Sequence, residues 1–293
     1  TISRPRRTAR TTLQLLGLAL LALALARPQM GGTQVKTRQA GIDVVFALDI
    51  SKSMLARDVA PSRLTAARLL LEGLLERMGT DRVALVPFAG VAFAQCPLTR
   101  DYSAIRVYLR SLNPDALPVG GTALGRALAV ATQLLGAGEQ DDEDVTKTRR
   151  ANERVVILIT DGEDHDSDPS AAAQAAAAAG IKIFTVGIGS LAGEPIPIYH
   201  PDGDLQGYVK DSAGQFVYSR LDEKTLRQVA DTTQGLYVHH DGGLTALDTL
   251  TAAVKELEKT ELETAVRRQY DERFQYALGP AIGLLLLASM LGD

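Results

Sequence analysis

The chain has 293 residues, of which 31 are Lys or Arg and 35 are Asp or Glu, and its formal net charge is −4. This balance gives no electrostatic argument for nucleic-acid binding, so we expect no nucleic-acid partner. A single cysteine, Cys96, excludes an intrachain disulfide and leaves no cysteine cluster for zinc.

The first predicted element is a membrane helix. A basic, cytoplasmic segment over residues 1–10 contains four arginines and precedes an uncharged run, Thr11–Ala26. At about 1.5 Å per residue this run gives roughly 24 Å of helix, slightly less than the apolar core of a bilayer, so we extend the predicted transmembrane helix over residues 11–30. A signal peptide is the alternative, because Ala24-Leu25-Ala26 after a basic start also fits that pattern.

The next element is a buried strand over residues 42–48 that leads directly into a group of oxygen donors. Asp49 follows the strand, and Ser51 and Ser53 come after it at alternate positions. One carboxylate and two hydroxyls so close together suit a small divalent cation such as Mg²⁺. The alternative is a serine-rich turn in which Asp49 or a serine caps the following helix, and these three residues alone leave both interpretations open.

The middle of the chain, over residues 31–243, alternates strands and helices. Strands are predicted at 42–48, 82–88, 154–160, 181–187 and 235–239, and helices at 62–78, 102–112, 123–135, 170–179 and 221–232. Continuous apolar strands separated by helices predict an α/β fold with a Rossmann-like, doubly wound and mostly parallel sheet. Residues 91–95 are expected to form one antiparallel edge strand, 136–152 a polar loop, and 191–220 a hairpin insertion.

The end of the chain is predicted to be a connecting helix and a second membrane helix. The connecting helix falls within residues 244–273 and runs to about Arg268, and the uncharged segment 274–292 is the second span, with a buried core helix as its alternative. The arginines near the N-terminus predict a multi-pass protein of the bacterial inner membrane, whose domain between the spans lies in the periplasm. Arg267, Arg268 and Arg273 favour the opposite orientation, but weakly.

Two further oxygen donors are expected to join the first loop. Asp161 follows the strand 154–160, and Thr122 follows the pair Gly120-Gly121. Ligands of parallel α/β sheets bind beyond the carboxyl ends of the strands, so loops that leave these ends should meet. The sequence therefore predicts one metal site made of Asp49, Ser51, Ser53, Thr122 and Asp161.

The order Asp49-x-Ser51-x-Ser53, then Thr122, then Asp161-Gly162 resembles the metal-ion-dependent adhesion site of von Willebrand factor type A domains. The resemblance implies that Ser51 and Ser53 ligate the ion directly, whereas Asp49, Thr122 and Asp161 bind it directly or through water. It also implies a Mg²⁺ ion, with Mn²⁺ or Ca²⁺ as alternatives, and an acidic side chain of a partner protein as a further ligand.

The flanking sequence is similar to the membrane-bound Bat aerotolerance proteins. The similar stretches are ALARPQ at 24–29, SMLARDVAPSRL at 53–64, CPLT at 96–99, TDGEDH at 160–165 and SRLD at 219–222. Members of that family carry a further membrane helix upstream, so we expect sequence before Thr1. The resemblance implies a lipid bilayer, other Bat-family or periplasmic proteins and a MoxR-type AAA+ ATPase as functional partners.

The predicted function is a membrane-anchored protein-interaction module that binds Mg²⁺ and docks an acidic group of a partner, within a stress-tolerance or complex-assembly system. We predict that the chain is not an enzyme, since it contains no convincing Ser/His/Asp arrangement, phosphate-binding loop or dinucleotide fingerprint. Two alternatives are open. One is a metal-assisted hydrolase that uses the acidic run 163–168 as a base, and the other is a structural membrane scaffold with an incidental metal site.

Overall fold

The structure is a computed structural model, and it describes residues 4–26, 29–35, 41–79, 81–114, 121–137, 153–164, 167–200, 202, 204–264, 267–272 and 275–290. The chain divides into two units. A central unit comprises Gln39–Glu263, and a terminal unit comprises Thr1–Arg38 together with Thr264–Asp293.

The elements are numbered in chain order. The helices are α1 (Arg4–Leu25), α2 (Arg63–Arg77), α3 (Tyr102–Ser111), α4 (Leu124–Ala137), α5 (Pro169–Ala178), α6 (Glu223–Thr232), α7 (Thr245–Thr264) and α8 (Gln275–Met290). The strands are β1 (Gln29–Val35), β2 (Asp43–Asp49), β3 (Arg82–Phe88), β4 (Cys96–Thr99), β5 (Arg154–Thr160), β6 (Lys182–Ile188), β7 (Glu194–Pro195), β8 (Pro197–Tyr199), β9 (Leu205–Tyr208), β10 (Tyr218–Ser219), β11 (Leu236–His240) and β12 (Arg267–Glu272).

The central unit is built on one six-stranded sheet with the strand order β11-β6-β5-β2-β3-β4. Neighbouring strands from β11 to β3 are parallel, and β3 pairs with β4 in the antiparallel sense. This confirms the predicted α/β fold with a mostly parallel sheet. Because β2 lies between β5 and β3 and runs parallel to both, the carboxyl ends of these three strands meet at the same edge.

The antiparallel edge strand lies later in the chain than predicted. β4 is Cys96–Thr99, whereas residues 91–95 form the connection, in which Ala92 makes one isolated bridge to Phe88. The prediction of a strand at 91–95 was wrong. The observed strand contains Pro97, which by local propensity disfavours a strand at 96–99. On an edge strand, however, the missing N–H of a proline can face away from the sheet at no cost.

Helices cover both faces of the sheet and divide the apolar core in two. In β2, Val44, Phe46 and Leu48 belong to one buried cluster, and Val45 and Ala47 belong to the other. The first cluster includes side chains of α2, α3 and α7, and the second includes side chains of α4, α5 and α6. Successive side chains of a strand point to opposite faces, so a strand that is apolar at every position needs cover on both sides.

Residues 191–220, hereafter the insertion, form short antiparallel strand pairs between β6 and α6. β7 pairs with β10, and β8 pairs with β9. A bridge between Lys210 and Phe216 closes a turn around Ala213. The insertion carries several exposed apolar side chains, namely Leu191, Ile198, Leu205, Tyr208, Phe216 and Tyr218.

The terminal unit contains a helix pair and a strand pair. β1 and β12 are antiparallel, and α1 packs against α8. The two helices approach closely at Gly17, where an added Cβ atom would lie 2.8 Å from Leu285 Cγ. No helix among the described residues has both the length and the apolar composition needed to cross a membrane.

Element boundaries in the terminal unit differ from the predictions. Residues 29 and 30, which the predicted span over 11–30 included, begin β1. The connecting helix predicted within 244–273 ends at Thr264, and β12 replaces its last part. The helix predicted over 274–292 is described as α8, Gln275–Met290. β1 and β12 are far apart in sequence, and their pairing overrides local preference in a way that a local pattern cannot reveal.

A close backbone contact next to β11 provides a test of the sheet packing. A Cβ atom added at Gly235 would lie 1.9 Å from Ile183 O. We expect Gly235→Ala to lower the free energy of unfolding by about 1–3 kcal/mol, because the turn before β11 must move away from β6.

Gly136→Ala is the matched control, since nothing lies within 4 Å of its added Cβ atom. It should be neutral or stabilising by about 0.5 kcal/mol, because alanine is the better helix former. Urea unfolding of both variants measures the difference, and a Gly235→Ala protein as stable as the wild type would contradict the contact.

Candidate metal centre

The segment after β2 folds into a tight loop rich in oxygen donors. The backbone N–H of Ser51 donates to Asp49 Oδ1 at 2.8 Å, and the hydroxyl oxygens of Ser51 and Ser53 lie 2.9 Å apart. A 3-10 helix, Lys52–Leu55, begins here, but the Ser51 side chain does not cap it. Asp49 is fully buried, both serines are nearly so, and Lys52 is exposed. The structure therefore does not contain a Ser51 cap, whereas Asp49, the other capping candidate, accepts the N–H of Ser51 within this loop.

Asp161 lies beside Asp49 because β2 and β5 pair in parallel register. Leu48 is opposite Ile159, so Asp49 and Thr160 follow at the same level. Thr160 Oγ1 donates to Asp49 Oδ2 at 2.7 Å. Asp161 comes next in the chain and, like Asp49, is fully buried. Two carboxylates are thus held close together without contact with bulk solvent.

The surroundings of Asp49 raise the pKa of its carboxyl group. Burial and, next, the negative charge of Asp161 raise the pKa of Asp49 to about 7, although hydrogen bonds from Thr160 and Ser51 act in the opposite direction. A cation held between two acids removes their repulsion and favours the ionised form of both. The electrostatics of this edge therefore fit a bound cation.

Thr122 lies at the same edge, on the loop that precedes α4. It is buried, and Gly121 before it has φ 100°, which suits glycine. The N–H of Ala123 donates to Ala89 O, just after β3, at 2.8 Å. Gly120 lies outside the described residues. The Thr122 loop is therefore fastened beside the end of β3, next to the strand that carries Asp49.

The oxygen donors at this edge are mostly hydroxyls. In the described ranges of the chain, no group of three or more His, Cys, Asp or Glu side chains is placed to hold a metal ion. Two carboxylates combined with serine and threonine hydroxyls form a hard donor set, which suits Mg²⁺ better than soft transition metals.

The acidic run 163–168 has a structural role in its described part. Asp164 Oδ1 accepts from the N–H of Ser167 at 2.9 Å, and Asp164 Oδ2 accepts from the N–H of Leu124 at 3.1 Å and from the Ser167 hydroxyl. Asp168 caps α5 by accepting from two N–H groups of its first turn. Residues 165 and 166 lie outside the described residues. The run thus joins the loop after β5 to the N-terminus of α4.

Three residues that contact the paired carboxylates were missed by the sequence reasoning. They are Thr160, Arg63 and Ser219. Thr160 could have been noticed in the sequence, since it is the one hydroxyl residue of β5 and directly follows the apolar run 155–159. For Arg63 and Ser219 no sequence signal pointed to this contact, because 98 and 58 residues separate them from Asp161 in the chain.

Comparison with known proteins adds a family assignment to this geometry. A family model described as the von Willebrand factor type A domain matches residues 43–253. The structure of BatB from Bacteroides thetaiotaomicron is 35% identical with a TM-score of 0.66, and the match covers 75% of this chain and 100% of that chain. An aerotolerance-related membrane protein from Bacteroides fragilis is 34% identical with a TM-score of 0.64, over 75% and 100% of the two chains.

An uncharacterized protein of Borreliella burgdorferi is a more distant relative. It is 27% identical over 231 residues, which cover 76% of this chain and 60% of the relative. This chain therefore spans less than two thirds of that relative's length.

In the metal-free protein, Asp49→Asn should remove a pH-dependent loss of stability. Folding raises the pKa of this carboxyl from 3.8 to about 7, so the folded state binds the proton more tightly than the unfolded state does. The free energy of unfolding therefore falls as the pH rises between these values, by up to about 1.4 kcal/mol per pH unit. Asn cannot ionise, so in EDTA the variant should be more stable than the wild type above about pH 7.

Urea unfolding at a series of pH values in EDTA checks this expectation. The advantage of Asp49→Asn should shrink toward pH 4, where the wild-type carboxyl is protonated in the folded state. Asp204→Asn, at an exposed position of the insertion, is the control. Parallel pH profiles for the wild type and Asp49→Asn would contradict the raised pKa of Asp49, which burial and, next, repulsion by Asp161 produce.

Proposed function

The chain belongs to the von Willebrand factor type A domain family, in its Bat aerotolerance group, and we propose that it is a non-enzymatic module that docks partner proteins through a divalent cation. The observation that carries this proposal is the meeting of Asp49, Ser51, Ser53 and Asp161 at one edge of the sheet, with Thr122 on the adjoining loop.

Five side chains would hold the cation. We assign Ser51 and Ser53 as direct ligands, and Asp49, Thr122 and Asp161 as ligands that bind directly or through water. Mg²⁺ fits this hard donor set, and Mn²⁺ and Ca²⁺ are the alternatives. When bound, the ion supplies a positive centre that an anionic ligand can approach. Because the hydroxyls carry no charge, the two carboxylates only balance the charge of the ion, so the occupied site has no net negative charge that would repel a further acid.

The partner supplies that acid in this proposal. An Asp or Glu side chain from a second protein would complete the ligands of the ion, so binding energy and metal dependence come from one contact. Candidate partners are other Bat-family proteins of the membrane or periplasm, linked to a MoxR-type AAA+ ATPase in a stress-tolerance or complex-assembly system.

Loss of the metal and loss of the partner should go together. We expect Mg²⁺ to bind the wild type in calorimetry and to show no measurable binding to Asp49→Ala, since a buried ligand is gone. In native membranes, crosslinked partners should disappear with EDTA and in Asp49→Ala, but persist in Asp204→Ala, which removes an exposed carboxylate of the insertion.

Two results would count against docking through the metal. If the partners persist in EDTA and in Asp49→Ala, the module is a scaffold with an incidental metal site. If purified protein turns over a substrate and Asp49→Ala abolishes turnover, the chain is a metal-assisted hydrolase.

We also propose that the terminal unit attaches the central unit to the bacterial inner membrane, with the central unit in the periplasm, as the sequence predicts. The support is the exposed apolar surface of its helices, with Leu15, Leu16, Leu18, Leu23 and Leu25 on α1 and Ile282, Leu286, Leu287 and Met290 on α8. So many exposed apolar side chains on two packed helices favour contact with a membrane or a protein. The relative from Bacteroides fragilis is described as a membrane protein.

Cell fractionation tests the attachment to the membrane, and protease protection tests on which side of the membrane the central unit lies. We expect the chain to stay with the membrane fraction after washes with high salt and alkaline carbonate. Protease added to spheroplasts should digest the central unit. Release by salt would contradict apolar attachment, and an intact central unit in spheroplasts would place it in the cytoplasm.

A further inference from the structure

Arg63 is a fully buried cation that the proposed metal centre does not use. It is the first residue of α2, and its side chain is 0% exposed. A buried charge is costly unless it is paired and its hydrogen-bonding groups are satisfied. The groups that pair with this guanidinium therefore decide whether its burial is tolerated.

The guanidinium joins three segments that are distant in sequence. It makes two hydrogen bonds with Asp58, from Nε at 2.8 Å and from Nη2 at 2.6 Å. Nη1 donates to Asp161 Oδ2 at 3.1 Å and to Ser219 Oγ at 2.7 Å, and Nη2 donates to Ser219 O at 3.1 Å. One side chain thus connects the loop after the serine pair, the end of β5 and the last strand of the insertion.

The same network holds both ends of the insertion. At its start, the N–H of Ser190 donates to Asp58 Oδ2 at 2.7 Å, and at its end Ser219 Oγ donates to Asp161 Oδ2 at 2.9 Å. Gly189 has φ +123°, and a Cβ atom added there would lie 2.7 Å from Arg63 Cζ. The chain therefore enters the insertion in direct contact with the guanidinium, in a conformation that suits glycine.

The charges of this network favour the ionised form of Asp58. Burial alone raises the pKa of Asp58, but hydrogen bonds from Arg63 and from the N–H of Ser190 outweigh it, so that the pKa is lowered. At Asp161, Oδ2 is shared between Arg63 and Ser219. Oδ1 accepts a longer hydrogen bond of 3.3 Å from the N–H of Glu163. The network thus occupies Oδ2 of Asp161 with two hydrogen bonds, whereas Oδ1 has one longer hydrogen bond.

We propose that Arg63 is a positioning residue that orients Asp161 toward the cation and links occupation of the metal centre to the placement of the insertion. The proposal rests on the proposed function. A protein partner that binds at the ion would then contact the insertion. The exposed side chains Leu205, Phe216 and Tyr218 belong to this insertion, and the same network would hold it in place. Metal removal would loosen that surface without any direct contact between the ion and the insertion.

The test combines metal affinity with hydrogen exchange of the full chain. Ser219→Ala removes the hydroxyl between Arg63 and Asp161, and Arg63→Lys keeps the charge but loses the planar fork. Both variants should weaken Mg²⁺ binding roughly tenfold in calorimetry, as is typical when a residue that supports a ligand is removed. In the wild type, Mg²⁺ should slow amide exchange of residues 190–222, and in both variants this protection should be lost.

Two matched controls separate positioning from general destabilisation. Thr185→Val also removes a buried hydroxyl, which donates to Leu226 O at 3.0 Å away from the network. Arg82→Lys also disrupts a two-bond pair, with Asp43 at the opposite edge of the sheet. Both controls should keep the Mg²⁺ affinity and the Mg²⁺-dependent protection, even where they lower the unfolding temperature.

These measurements separate a failure of the positioning role of Arg63 from a failure of the proposed metal-dependent docking. If the wild type does not bind Mg²⁺, the proposed function fails and the inference fails with it. If Asp49→Ala abolishes binding while Ser219→Ala binds like the wild type, the metal centre stands and the positioning role is wrong. The role is also wrong if Mg²⁺ leaves exchange of the insertion unchanged in the wild type. Should Arg63→Lys not fold, Ser219→Ala decides alone.

Discussion

The parallel pairing of β2 with β3 and β5 is the constraint on which the candidate metal centre depends. Because these strands run in one direction and in register, the loops that follow them leave the sheet at the same edge. Asp49 and Asp161 are each placed by the end of a strand and not by a flexible loop. Thr122 is added by a loop that is hydrogen-bonded to Ala89, just beyond β3. A rigid sheet thereby holds its oxygen donors before any ligand arrives.

This arrangement costs stability, and the surrounding residues offset part of that cost. Burial of Asp49 and, next, its repulsion by Asp161 raise the pKa of this carboxyl. Thr160 and the N–H of Ser51 donate to Asp49, while Arg63 and Ser219 donate to Asp161. Such local conflict is common at functional sites, where binding needs groups that folding alone would not select. The hydrogen bonds around each acid therefore stabilise the site without removing the attraction for a cation.

The two units of the chain differ in how well local patterns describe them. In the central unit, strands such as Arg82–Phe88 and Arg154–Thr160 were predicted with their observed bounds, because both are apolar runs between clear turn signals. The edge strand was misplaced by Pro97, whose effect depends on its position in the sheet. In the terminal unit, β12 lies where a helix was expected, because its pairing with β1 joins segments that are distant in sequence.

The sequence by itself determined the fold class, the family and the oxygen donors at the end of β2. These follow from patterns within a few residues, such as apolar strands and the Asp49-Ser51-Ser53 spacing. Only the tertiary structure decided that Thr160, Arg63 and Ser219 surround the two carboxylates and that the insertion is fastened to the same network. Those contacts join segments separated by 58 to 111 residues, and the side chains of Arg63 and Ser219 carry no local mark of burial. The physical reason is that pairing and desolvation of a charge depend on which segments the folded sheet brings together.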